Sequence, residues 1–262
     1  MPEKNTKNRR SFLVNTLGIV GGVTAGTAVA KVCGFSTAKQ PLGPFYPNDG
    51  TPRIDVRESQ NGPIALANDN DLTWVKTLKG KISGFADGQV VTIKGILRDA
   101  SCNPVKGAMI VIWQASSTGS YNHTGDHSNE KFRHPKTREI ITRKLDPNFQ
   151  YWGKTVTNEK GEYSFKTIVP GFYPADLDRG WYRPPHIHFL VSATGHQQFV
   201  TQSYFTGSVL KDSEFIDELN KKDFLLQDSR ISEKERQKLV VEFKKYSDYR
   251  WPVGLFNIDL PG

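Results

Sequence analysis

Apolar and polar positions alternate along several short stretches of this chain. Between Gln89 and Leu97 the apolar Val91, Ile93 and Leu97 share one side of a two-residue period, which predicts a half-buried strand. Turn residues follow from Asp99 to Pro104. Met109 to Trp113 is a continuous apolar run, suited to a strand buried on both faces. After a turn at Asn158–Gly161, Tyr163, Phe165, Thr167 and Val169 alternate with Glu162, Ser164 and Lys166. Two further strands are predicted at 186–193 and about 198–205. This spacing predicts a mostly β fold, an antiparallel β-sandwich with long loops. One C-terminal helix is expected, from the capping-box pattern Ser232-x-x-Glu235 with Leu239, Val240 and Phe243 on one side. Asp126 to Leu145 is charged and aperiodic and reads as a loop at the mouth of a site. Residues 31–80 read as an irregular arm, with a turn at Gly43-Pro44-Phe45-Tyr46-Pro47, and residues 81–262 as the main domain.

Composition narrows the class of partner. The net charge is +8 over 262 residues, and +3 of it lies in the first 30, where Lys4, Lys7, Arg9 and Arg10 face Glu3. The remaining 31 basic and 26 acidic residues are dispersed, with no basic run interleaved with aromatics, which argues against a nucleic-acid partner. Residues 1–30 carry Arg9-Arg10-Ser11-Phe12-Leu13, similar to a twin-arginine export pattern. A weakly apolar stretch then ends at Ala28-Val29-Ala30, an A-x-A type cleavage site. The export machinery is therefore an expected partner. The expected location is periplasmic or secreted, or membrane-anchored where the segment stays uncleaved. Cys33 and Cys102, the two cysteines, can pair in an oxidising compartment, and their spacing fits no thiolate metal site.

The strongest chemical signal is His186-Ile187-His188, entered through Pro184-Pro185 and continued by Phe189-Leu190-Val191. On a strand, residues two apart share a face, with Cα atoms roughly 6.6 Å apart, close enough for both imidazoles to reach one metal ion. The prolines mark where the strand starts. Carboxylates near the pair are few, Asp176 and Asp178, whereas Tyr121, Tyr173 and Tyr182 are at hand. Tyrosinate donors favour Fe(III) over Fe(II), but spacing does not choose among the tyrosines.

Three segments carry a resemblance that does choose. Trp113-Gln114-Ala115 with Gly119-Ser120-Tyr121-Asn122-His123, then Pro170-Gly171-Phe172-Tyr173-Pro174, and Arg183-Pro184-Pro185-His186-Ile187-His188-Phe189 occur in this order. With Thr201-Gln202-Ser203-Tyr204-Phe205, they resemble the segments of intradiol ring-cleavage dioxygenases, the protocatechuate 3,4-dioxygenase-like branch in particular. The resemblance implies a mononuclear non-haem Fe(III) held by Tyr121, Tyr173, His186 and His188. It implies a small aromatic diol and O₂ as substrates, with cleavage of a protocatechuate- or catechol-type ring to a cis,cis-muconate. Arg183 and Gln202 would line the substrate and stabilise its charge, Tyr173 would take a catechol proton, and Tyr46 would approach from the arm. A homo-oligomer or pairing with a related chain is expected. Phe172 stands where the family often has proline, and the segment from His127 to Lys144 is longer than usual. Two rival readings are a non-catalytic β-sandwich binding module and a different metalloenzyme, such as a zinc hydrolase or a two-histidine, one-carboxylate Fe(II) oxygenase.

Overall fold

A computed structural model describes residues 34–47, 69–75, 84–127 and 129–262. The export segment, much of the arm and Cys33 lie outside the described residues. Strands dominate. They run as β1 (Val90–Arg98), β2 (Met109–Trp113), β3 (Lys131–Arg133), β4 (Ile140–Thr142), β5 (Trp152–Val156), β6 (Glu162–Ile168), β7 (Tyr173–Asp176), β8 (Trp181–Arg183), β9 (His186–Ser192) and β10 (Phe199–Thr206). Helices α1 (Ser213–Asn220) and α2 (Glu233–Leu239) precede β11 (Val240–Lys244), β12 (Val253–Leu255) and β13 (Ile258–Asp259).

One layer orders β5-β2-β9-β10 and a second joins β6, β1 and β12. β11 links them: Val240–Glu242 pair with β10, and Phe243 and Lys244 pair with β12. Most pairings are antiparallel, while β10–β11, β1–β12 and β1–β13 run parallel. Between the layers, Phe189 meets Phe256 at 5.0 Å and Tyr163 at 6.2 Å between ring centroids. β1 alternates as its sequence predicts, burying Val91, Ile93 and Leu97, and β9 is buried over six of its seven residues. β9 lies between β2 and β10, so His188 is paired on both sides, with Trp113 and Gln202, and His186 on one, with Tyr204.

Two expectations change. The expected C-terminal helix is shorter than its apolar pattern suggests. The capping box forms, with Ser232 accepting from the Glu235 amide and Glu235 reaching back, but the helix ends at Leu239. Val240, Val241 and Phe243 go into β11, where Val241 and Phe243 are buried and Glu242 is exposed. Two adjacent β-branched residues favour a strand, and an open edge of β10 offers the pairing that a helix would forgo. The charged segment from Asp126 to Leu145 is more than a loop, since β3 and β4 form a hairpin within it. Phe132 and Phe172 hold this hairpin down, with ring centroids 5.5 Å apart.

The described part of the arm is irregular but pinned. The Thr37 amide donates to Asp259 O, the Gln40 amide to Val200 O, and Thr201 Oγ1 to Ala38 O. Cys102, in the turn after β1, is disulfide-bonded. Among the described residues no helix is long and apolar enough to cross a membrane.

Candidate metal centre and substrate pocket

His186 and His188 lie on one face of β9, and their Nε2 atoms are 3.2 Å apart. The Tyr121 hydroxyl is 3.2 Å from each of them, which closes a triangle of donor atoms. Tyr121 comes from the loop after β2, where its amide donates to Asp126 Oδ2 at 2.9 Å. Tyr173 opens β7; its ring stands edge-on to Tyr121 at 5.7 Å and 5.9 Å from His186, and its hydroxyl is hydrogen-bonded to that of Tyr121. All four side chains are buried.

The protonation of His186 follows from its neighbour. Its Nδ1 lies 2.6 Å from Pro184 O, which can only accept, so Nδ1 carries the proton and the Nε2 lone pair faces the triangle. Burial first, then the nearby Arg183 charge, holds both imidazoles well below their ordinary pKa, so both are neutral. Burial also pushes the Tyr121 and Tyr173 phenols above their ordinary range. A cation satisfies such a cluster. Two ligand atoms about 2.0–2.1 Å from one ion and about 90–110° apart at it are separated by roughly 2.8–3.4 Å, which brackets the observed 3.2 Å. The nearby carboxylates are engaged elsewhere: Asp126 with the Tyr121 amide and Arg143, Asp223 with Arg183, and Asp176 with Arg179. The donor set is therefore two neutral imidazoles and two phenols.

The ring of His188 is wedged in place. Trp113 stacks on it with centroids 4.7 Å apart at 12°. Gly43, at φ 78°, also approaches this ring, so closely that a Cβ there would lie 3.1 Å from Cε1. The positive φ favours glycine, and a Cβ there would also crowd the His188 ring. Phe45 covers Tyr121 at 4.7 Å.

A cavity of about 590 Å³ opens beside the centre, lined by Gly43, Phe45, Arg143, Tyr173, Trp181 and Arg183 among others. Arg183 is held on three sides. Its Nε donates to Asp223 Oδ2 at 2.8 Å, and Nη2 donates to Gln202 Oε1 at 2.7 Å and to the Tyr204 hydroxyl at 3.3 Å. Burial opposes its charge, but the facing Tyr204 and Asp223 more than restore it, and the guanidinium stays charged. Gln202 donates its amide to Pro41 O at 2.9 Å and is fully buried behind Arg183, away from the cavity lining. Tyr46 stands one layer back, its ring edge-on to Trp113 at 4.9 Å, and Phe45 takes the lining position.

Asp223, Tyr204 and Arg143 carry parts of this site that spacing did not reveal. Asp223 lies 40 residues from Arg183 and also accepts the Leu225 and Leu226 amides. Tyr204, fully buried on β10, directs its hydroxyl into the Arg183 network. Arg143 is buried over the Tyr173 ring, 5.3 Å from its centroid, and ties Asp126 and Glu130 to Gly119 O.

The family described as Dioxygenase matches residues 62–255. The chain belongs to the intradiol ring-cleavage dioxygenase family. It is 33% identical over 164 residues to the protocatechuate 3,4-dioxygenase beta chain of Burkholderia cepacia, covering 61% of this chain and 64% of that one. Against the hydroxyquinol 1,2-dioxygenase of Nocardioides simplex it is 26% identical over 244 residues, covering 88% of this chain and 67% of that one. The catechol 1,2-dioxygenase of Candida albicans is 29% identical over 123 residues, 43% of this chain and 35% of its own length. The chain thus spans from about a third to two thirds of these curated relatives. The fold is similar to that of 3-chlorocatechol 1,2-dioxygenase from Rhodococcus opacus, with a TM-score of 0.53 at 16% identity over 86% of this chain and 71% of that one.

Proposed function

We propose that this protein is an intradiol dioxygenase that cleaves a catechol-type ring with O₂ between its two hydroxyl-bearing carbons, giving a cis,cis-muconate. The observation that carries the proposal is the triangle of Tyr121, His186 and His188 donor atoms beside a cavity lined by Tyr173 and a charged Arg183. A mononuclear non-haem Fe(III) suits this donor set, because anionic phenolate oxygens stabilise the higher charge, and Tyr121, Tyr173, His186 and His188 would hold it. Bound there, a ferric ion supplies the Lewis acidity that strips phenol and catechol protons at neutral pH.

The chain's own residues do the rest. Tyr173 lies between the centre and the cavity, where its phenolic oxygen can take a catechol proton. Arg183 presents a fixed positive charge to negative charge developing on the ring, and Asp223 and Gln202 keep its plane in position. The arm residues Pro41, Pro44 and Phe45 give the cavity an apolar wall. Export of the protein by its first 30 residues belongs to the same proposal. The disulfide at Cys102 supports it, since such bonds persist in oxidising compartments. A homo-oligomer or a pairing with a related chain is the proposed assembly.

The test is turnover of catechols by iron-loaded protein with ¹⁸O₂. One O₂ consumed per ring, and two labelled oxygens in a muconate product, are expected. Catechol loss without ring cleavage, or an extradiol aldehyde product, would contradict the proposal.

A further inference from the structure

We infer that Glu130 sets the substrate class of the pocket, rejecting a carboxylate on the catechol ring in favour of an uncharged, apolar substituent. The inference rests on the dioxygenase reading above and specifies what that site accepts. Two guanidinium groups of the described residues line the cavity, Arg143 and Arg183, and each is already paired with a carboxylate. Arg183 is paired with buried Asp223 at 2.8 Å. Arg143 gives Nε and Nη2 to Gly119 O at 3.0 and 2.8 Å, Nη2 to Asp126, and Nη1 to Glu130 at 3.1 Å. Two guanidinium charges thus meet three carboxylates, and among the described residues the lining adds no other Lys or Arg, only the imidazole of His127. Among the described residues, a carboxylated catechol entering here meets only guanidinium groups already paired with carboxylates, and it meets Glu130, whose side chain is half-exposed at the wall.

The remaining walls favour a different ligand. Pro44, Phe45, Leu177, Trp181 and Leu225 are apolar or aromatic, and together they bound much of the cavity. Its volume of about 590 Å³ lies in the range, roughly 300–1,000 Å³, that encloses drug-sized ligands, so there is room beyond a six-carbon ring. A carbon substituent gains burial there, whereas a carboxylate loses solvent and faces like charge.

The test compares kcat/KM of the iron-loaded enzyme for 4-methylcatechol and protocatechuate, wild type against Glu130→Gln. Anaerobic binding of each, followed by quenching of tryptophan fluorescence, gives a readout independent of turnover. Gln is isosteric and the side chain is half-exposed, so the fold is retained. The wild type should prefer 4-methylcatechol by at least about tenfold, and Glu130→Gln should shift that ratio about tenfold toward protocatechuate, in binding as in turnover. A wild type that prefers protocatechuate, or a ratio that Glu130→Gln leaves in place, overturns the inference while the dioxygenase reading stands. Failure of every catechol to bind or react overturns both.

Discussion

The two histidines and the two tyrosines of the centre reach the same point by different routes. His186 and His188 are neighbours on a central strand, and the pleat alone puts them on one face, with β2 and β10 holding the register on either side. Tyr121 and Tyr173 are 52 residues apart and come from a loop and a four-residue strand. Their placement depends on distant groups. Asp126 holds the Tyr121 amide, Arg143 ties Asp126 to Gly119 and covers the Tyr173 ring, and Phe172 docks the 131–142 hairpin. The comparison separates a half of the site built by local periodicity from a half built by long-range polar contacts. Substitutions should therefore fail in different ways on the two sides.

The largest effect is expected at the strand. His188→Ala removes a donor atom and should lower iron affinity by more than about 100-fold, beyond the 10- to 100-fold typical of residues that only support a ligand, while the cavity left beside Trp113 lowers the melting temperature and the β9 pairing is kept. Iron content after dialysis, read beside thermal unfolding, checks both parts. A second substitution probes the polar support behind the pocket. Asp223→Asn leaves Arg183 buried without its counter-charge and should cost ~3–5 kcal/mol of stability, measurable by urea unfolding. If the loss stays under about 1 kcal/mol, Arg183 finds another partner and the network is less committed than its geometry indicates.

How much of this was legible in the sequence follows the same division. The strands of the main layers show their period in Val91, Ile93, Tyr163 and Phe165, and the H-x-H face follows from the pleat. The tyrosines became legible only through resemblance to a family, because a side chain delivered by a loop leaves no period. Asp223 and Arg143 left no local mark at all: in sequence each is one charge among many, and only the fold shows that they are buried. Val240 and Phe243 misled for a related reason. The apolar positions following a good capping box suit a helical face, but they suit β11 as well, and the open edge of β10 decides between them.

Smaller effects sharpen the contrast. Gly43→Ala forces a Cβ against the His188 ring from a left-handed backbone conformation. It should cost ~1–2 kcal/mol and also weaken iron retention, which shows that the arm supports the strand half of the centre. Unchanged iron retention would detach the arm from the centre. Ser232→Ala removes the α2 cap, outside the cavity lining, and should cost about 1 kcal/mol with no change in iron content, giving a stability reference for the others.

The central claim is that Tyr121, Tyr173, His186 and His188 together hold one ferric ion that a catechol can reach. Its most direct test is the visible spectrum of the iron-loaded protein, before and after anaerobic addition of 4-methylcatechol, beside that of Tyr121→Phe. A broad visible band that shifts with the catechol, and that is lost or displaced in Tyr121→Phe, is the predicted result. A protein that binds iron yet stays colourless, or whose band is the same in Tyr121→Phe, would contradict it.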